Sequence, residues 1–347
     1  MAVFTPAAPV VASPGLAPEK APPLAEVANL TVAFPSPDSR MSAVVREVGF
    51  SLAPHESLAL VGESGSGKTQ TALAMLGLTR PPGRVMAGSV RIGGQEIVGA
   101  SESTLRRIRG SQAAMIFQSP RTALNPLKTV GDHLSRVYRR HSGLDKRRAQ
   151  EQALAMLERV GMTAPERVLR AYPHQLSGGM AQRVMIGMML ACNPCLLIAD
   201  EPTTGLDVTI QSQIFALIRD IQAETGLALI LITHDLGVVA ENCDRIAVMQ
   251  RGRLVELAPT AALFAQARHP YTLRLLASIL RPDQPPQPID LDTPVVDEVP
   301  IENAGHAWRA ISVDAWKALD ATRPEMIEVA PGHFVLCHPE PPVEAQP

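Results

Sequence analysis

Leu58-Ala59-Leu60-Val61-Gly62-Glu63-Ser64-Gly65-Ser66-Gly67-Lys68-Thr69 is the stretch that decides the fold of this 347-residue chain. Its first four residues form a short apolar run of the kind that makes a buried parallel strand. The run enters G-x-x-x-x-G-K-[ST], and Thr69 to Leu78 reads as the helix that follows. A strand feeding a glycine loop that opens a helix is the context in which this motif holds phosphate. The glycines let the backbone curl so that N–H groups aim at phosphate oxygens, and the helix N-terminus favours the anion. The loop residues Gly62, Glu63, Ser64, Gly65, Ser66 and Gly67, with Gln70, are the candidate phosphate cradle. Lys68 is expected to meet the β- and γ-phosphates, and the Thr69 hydroxyl to ligate Mg²⁺.

Other apolar runs end in polar residues in the same way. Leu196-Leu197-Ile198-Ala199 ends in Asp200-Glu201, and a buried strand has no structural use for adjacent carboxylates at its tip. Asp200 suits a Mg²⁺ shell, and Glu201 is the candidate base that orients and deprotonates a water. Leu229 to Thr233 ends in His234, and Met115-Ile116-Phe117 ends in Gln118. In a parallel sheet these residues gather at one sheet edge, where ligands collect. His234 is then placed to contact a γ-phosphate, and the Gln118 amide to reach Mg²⁺ or the water. A second glycine element, Leu176-Ser177-Gly178-Gly179-Met180, opens a helix of its own.

Composition narrows the class. Apolar content of 46% and charged content of 19% are ordinary for a packed protein. The net charge of −2 leaves no nucleic-acid footprint, and aromatics at 3% leave few stacking platforms for bases. No apolar stretch approaches the roughly 18 residues of a membrane span. The proline-broken start, residues 1–24, reads as a disordered Pro/Ala-rich tail and not a signal peptide. Cys192 and Cys195 read as buried small hydrophobes where a helix meets a strand.

Along the chain, Ala25 to Phe34 and Ser42 to Leu52 alternate as strands, and Ser89 to Ile92 with Gln95 to Val98 make a hairpin about Gly93-Gly94. The pattern turns helical over about 119–176. Arg245 to Gln250 and Arg253 to Leu257 form a hairpin about Gly252. A main domain is expected over 25–259, followed by an extension over 260–347 with a Pro/Asp-rich linker from Arg281 to Pro300. Thr260 is expected to cap a short helix, and Pro270 to open another.

The ordered set of Gly62–Thr69, Gln118, Leu176–Gly179, Leu196–Glu201, Gly205-Leu206-Asp207 and His234 resembles the ABC ATPases. The resemblance covers about Ala25 to Ser278. It implies an α/β P-loop NTPase fold of the ABC type, with a RecA-like core, an antiparallel β subdomain and an α-helical subdomain. Finer features resemble the oligopeptide/dipeptide/nickel importer ATPases: Phe117-Gln118-Ser119-Pro120 with Ala123-Leu124-Asn125-Pro126, Met180 after the glycines, the run from Asp200-Glu201-Pro202 to Val208-Thr209, and His269-Pro270-Tyr271-Thr272 with Leu275-Leu276-Ala277-Ser278. Phe34 lies where the family places its adenine-stacking aromatic; as a residue it is equally a core strand position.

The resemblance implies an ATP-hydrolysing subunit of a membrane importer, for peptides, at the cytoplasmic face of the inner membrane. ATP and Mg²⁺ would sit at a head-to-tail dimer interface, with Leu176 to Met180 completing the partner's site and Asp207 in the D-loop. Implied partners are two membrane permease subunits, a second ABC ATPase subunit and an extracytoplasmic solute-binding protein, with no nucleic acid. Ala181 departs from the Arg or Gln usual after the signature. Relatives often carry a cysteine cluster in the extension; here Cys337 stands alone beyond Cys243, and no iron–sulfur cluster is expected. His333, Cys337 and His338 leave a small metal site open beside a plain strand. The alternative of a soluble ABC-type ATPase acting on DNA or ribosomes lacks the second ATPase set, coiled coil or zinc module usual there. A P-loop kinase is disfavoured by the signature helix and His234.

Overall fold

The computed structural model describes residues 22–37, 40–118, 123–277, 298–303, 306–311, 313 and 324–339. Residues 1–21 of the expected tail, Ser119-Pro120, Ser278 and most of the linker lie outside the described residues.

Ser57–Val61 is the middle of the main sheet, paired in parallel with Ala228–Ile232 on one side and Arg245–Gln250 on the other. Leu196–Asp200 and then Ala113–Ile116 continue the parallel ladder. Every residue of Ser57–Val61, Ala113–Ile116, Leu196–Asp200 and Ala228–Ile232 is buried. Their side chains divide with period two. Leu58, Leu60, Ile198, Ile230 and Met115 enter one hydrophobic cluster, while Ala59, Val61, Leu197, Leu231 and Ile116 enter the other. A sheet covered on both faces needs continuous apolar strands, and these runs meet that need.

One face carries helix Lys68–Met75 and a separate antiparallel sheet. That sheet is built from Met41–Leu52, Ala25–Pro35, Arg84–Ile92 and the two-residue strand Gln95–Glu96, in that order. The other face packs against helices Gly178–Leu190 and Val208–Thr225 and the helical group Val130–His141, Lys146–Arg159 and Pro165–Arg170. Helix ends follow local chemistry. Thr129 and Asp132 form a capping box, Asp145 and Asp207 cap the helices they precede, and Gly226 closes Val208–Thr225 in the left-handed region at φ 73°.

Beyond Arg245–Gln250 the sheet turns antiparallel. Arg253–Pro259 pairs with it, and His333–Pro339 pairs with Arg253–Pro259 at Glu256↔Val335 and Leu257↔Phe334. Glu325–Ala330 and His306–Ile311 flank that strand, so the C-terminal segment extends the main sheet. Two expectations change. Thr260 does not cap its helix, Thr260–Gln266, because its hydroxyl donates to the Cys243 carbonyl at 2.6 Å. Cys192 and Cys195 are half-buried, and the Cys195 thiol donates to the Gln112 carbonyl at 3.1 Å.

Burial pushes His269 from 6.5 down to about 4, against the pull of Glu256. The neutral ring is therefore the folded form, and its share of stability is complete above about pH 6.5 and lost as pH falls toward 4. We expect the melting temperature of His269→Asn to fall less steeply than wild type across that window, measured by thermal unfolding at matched pH.

Candidate functional site

Four of the five parallel strands deliver a polar residue to one edge of the sheet. Val61 passes into the glycine loop, Ala199 into Asp200 and Glu201, Ile116 through Phe117 into Gln118, and Ile232 through Thr233 into His234. Glu201 continues the ladder by donating its N–H to the Ile232 carbonyl at 2.9 Å, then turns at φ 46°. A left-handed glutamate is strained, and here the turn lifts the carboxylate clear of the strand tip.

That carboxylate is the hub of the edge. Glu201 Oε2 accepts from Gln118 Nε2 at 2.7 Å and from Thr204 Oγ1 at 2.9 Å, and Oε1 lies 3.3 Å from His234 Nδ1. Burial alone would raise its pKa, but the Thr204 and His234 hydrogen bonds, the His234 charge and the Gln118 amide outweigh it and hold the carboxyl below its usual value. Asp200 goes the other way. Burial raises it, opposed by its hydrogen bond from Thr69, 3.3 Å between Oγ1 and Oδ1, and assisted by the Glu201 charge. Neighbouring carboxylates are thus pushed apart in acidity.

The glycine loop is held by close backbone contact. A Cβ on Gly62 would stand 2.1 Å from the Met249 carbonyl oxygen, and one on Gly67 2.7 Å from the Val44 oxygen. Their φ angles are 145° and 102°. Gly252 N–H donates to the Ser66 carbonyl at 2.9 Å, locking the loop to the hairpin behind it. Gly65, by contrast, faces open space. Lys68 folds back over the loop, donating to the carbonyls of Gly62 at 2.7 Å and Glu63 at 2.8 Å and to Ser66 Oγ at 3.2 Å. Burial lowers its pKa, against the attraction of Glu201, Asp200 and Glu63.

A cavity of about 340 Å³ opens here, lined by Gly65, Lys68, Thr69, Gln118, Asp200 and Glu201 among others. Its side-chain donors near Thr69 are oxygens and an amide, with no thiolate or imidazole in the lining, which suits Mg²⁺. Phe34 is not in that lining; its ring lies where a Cβ on Gly83 would come within 2.4 Å. Val44 is in it, on a strand with no motif to announce it. Another unannounced partner is Tyr271, whose hydroxyl accepts from the Glu63 N–H at 2.9 Å across 208 residues of chain.

The signature residues divide. Leu176 is buried in the core, whereas Ser177 is exposed and caps helix Gly178–Leu190 by accepting from the Met180 N–H at 3.3 Å. Gly178 and Gly179 lie against Leu206 and Ile210, where a Cβ on Gly179 would come within 2.8 Å of Ile210. Ser177 to Met180 line a separate cavity of about 540 Å³ together with Asp207, and this cavity shares no lining residue with the glycine-loop cavity. Ala181, the departure from the family pattern, is fully buried. Helix Val208–Thr225 is capped by Asp207, whose Oδ1 accepts from the Ile210 N–H at 2.9 Å.

On the last strand His333 Nε2 lies 2.7 Å from the accepting Glu256 Oε1, and Cys337 is buried with its thiol pushed up to about 12 by burial. Among the described residues no group of three or more His, Cys, Asp or Glu side chains is positioned to hold a metal.

A family model for ABC transporters matches residues 45–204. The chain is 47% identical to the oligopeptide transport ATP-binding protein OppD of Salmonella typhimurium over 77% of its own length and 79% of that protein's. It is 42% identical to OppD of Bacillus subtilis over 92% of its own length and 90% of that protein's. The chain belongs to the ABC-transporter ATP-binding proteins of the oligopeptide/dipeptide importer family. This importer-family ATPase also superposes on a dimeric ATP-binding cassette solved with ADP and phosphate in a post-hydrolysis state. The TM-score is 0.61 at 25% identity, over 68% of this chain and 98% of that one. The α/β P-loop ABC fold and the ATP-hydrolysing activity expected from the motifs are therefore those of the family.

Gly67→Ala forces a Cβ against the Val44 oxygen at a φ that L-residues resist. We expect it to lower the melting temperature and to abolish measurable nucleotide binding, read by calorimetry on the same preparation.

Proposed function

We propose that this chain is the peripheral motor subunit of a bacterial-type importer for peptides, working at the cytoplasmic face of the membrane. The observation that carries it is the joining of Gln118, Glu201 and His234 in one hydrogen-bonded set beside Lys68, Thr69 and Asp200. The names of the relatives, oligopeptide transport and glutathione import ATP-binding proteins, support peptides as the cargo class. No helix among the described residues is long and apolar enough to cross a membrane. The reading accordingly assigns the span to two permease subunits and delivery to a solute-binding protein. Residues 25–259 are the motor in this reading, with the segment of about 119–176, including Asn125 to His133, as its permease-facing part and 260–347 as an extension.

In the site, the loop from Gly62 to Gly67, with Gln70, cradles phosphate through its amides other than that of Glu63, which Tyr271 holds, and Lys68 swings from its own loop carbonyls to the β- and γ-oxygens. Thr69, Asp200 and Gln118 would hold Mg²⁺, which supplies charge neutralisation on the phosphate oxygens. Glu201, held ionised, orients the attacking water and takes its proton, and His234 and Gln118 align that carboxylate. Phe34 is assigned to the adenine side. Ser177, Gly178, Gly179 and Met180 act on the nucleotide of a second ATPase subunit, with Asp207 beside them at the interface. The separate cavity supports this division, because an exposed serine at a helix N-terminus suits an anion brought by another chain. No iron–sulfur cluster and no nucleic acid enter this scheme.

Glu201→Gln keeps the shape and loses the base. We expect near-normal ATP binding and turnover reduced by about 10²–10⁴, the usual range for a general base; hydrolysis close to wild type would remove Glu201 from the role. Purification of the tagged chain tests the assembly: permeases retained in detergent support the importer, whereas ribosomes or DNA in their place overturn it.

A further inference from the structure

The glycine loop is tied to the far end of the chain by buried hydrogen bonds that the hydrolytic scheme does not use. Tyr271 sits in the core at the start of helix Pro270–Ala277, and its hydroxyl accepts from the Glu63 N–H at 2.9 Å. The peptide unit that carries this N–H also holds Lys68, whose ammonium donates to its carbonyl, that of Gly62, at 2.7 Å. Behind Tyr271, its own N–H donates to His269 Nδ1 at 3.2 Å. The His269 N–H donates to Glu256 Oε2 at 3.0 Å, and the Arg268 N–H to Glu256 Oε1 at 2.8 Å. Glu256 is fully buried, and its Oε1 lies 2.7 Å from Nε2 of the buried His333, on the C-terminal strand His333–Pro339.

A carboxylate is costly to bury, and it persists where several donors converge on it. The donors here are the backbone at 268–269 and a histidine from the last strand, so the carboxylate fixes where helix Pro270–Ala277 begins. That start point aims the Tyr271 hydroxyl. The hydroxyl in turn commits one loop amide to the core, next to the turn in which the Ser66 N–H donates to the Glu63 carbonyl at 3.2 Å.

We propose that Tyr271 is a positioning residue for nucleotide binding, and that the C-terminal strand sets it through His333 and Glu256. The extension is thus a structural part of the nucleotide site, bracing the loop from behind. This rests on the reading of Gly62–Thr69 as the nucleotide loop.

Tyr271→Phe removes the hydroxyl and keeps the ring. In the full-length chain we expect MgADP binding, measured by calorimetry, to weaken about tenfold, the equivalent of about 1.4 kcal/mol. ATP turnover at saturation should stay within twofold while KM for ATP rises. His333→Ala should weaken binding in the same direction, His333→Gln, which restores a donor to Glu256, should recover it, and His333→Ala in the Tyr271→Phe background should add nothing. Should Tyr271→Phe fail to give a cooperative melt, the His333 pair carries the same readout. Binding by Tyr271→Phe within twofold of wild type, a fall in turnover at unchanged KM, or independent effects of the two positions would overturn the proposal. A wild-type chain that bound no MgADP would overturn the nucleotide-loop reading instead.

Discussion

Everything at the sheet edge depends on a close approach that only glycine permits. Gly62 lies against the Met249 carbonyl and Gly67 against the Val44 carbonyl, in each case nearer than any side chain allows. Gly252 closes the third side, for a Cβ there would also reach the Val44 oxygen at 2.6 Å. The loop is therefore clamped between the antiparallel sheet and the hairpin of Arg245–Gln250 and Arg253–Pro259. Clamping matters for the proposed phosphate binding, because backbone N–H groups are oriented only when the backbone is. Its position relative to Asp200 then follows from the parallel register that sets Leu60 beside Ile232 and Ile232 beside Asp200.

Electrostatics finishes what register begins. Asp200 and Glu201 are sequence neighbours with opposite shifts, one raised by burial and the other lowered by the donors gathered around it. The left-handed turn at Glu201 goes with both lining one cavity: without it the alternation of a strand would leave the carboxylates on opposite faces of the sheet. A strained residue at the tip of a strand is then a cost of stability exchanged for the placement of a charge.

Much of this was legible in the chain. The apolar runs, the glycine loop and the polar residue closing each run predict a doubly covered parallel sheet with its chemistry at one edge, and the register bears that out. Other features were not. Thr260 carries the residue type of a helix cap, yet a carbonyl from another segment, that of Cys243, competes for its hydroxyl and wins. Val44 has no motif because what it brings to the loop is its backbone oxygen, which any residue carries. Phe34 was equally readable as stacking ring or core residue, and its packing onto Gly83 is decided by a neighbouring strand.

The sequence by itself determined which residues gather at the glycine loop and the strand ends, because the motifs fix particular residue types at short spacing around a strand end. It also determined the family, since those short motifs recur in order along most of the chain. The tertiary structure alone decided what holds them. Tyr271 meets Glu63, and His333 meets Glu256, across spans in which no local pattern links one partner to the other. Such contacts depend on where the sheet brings its last strand, and a hydrogen bond between distant residues leaves no periodicity to read.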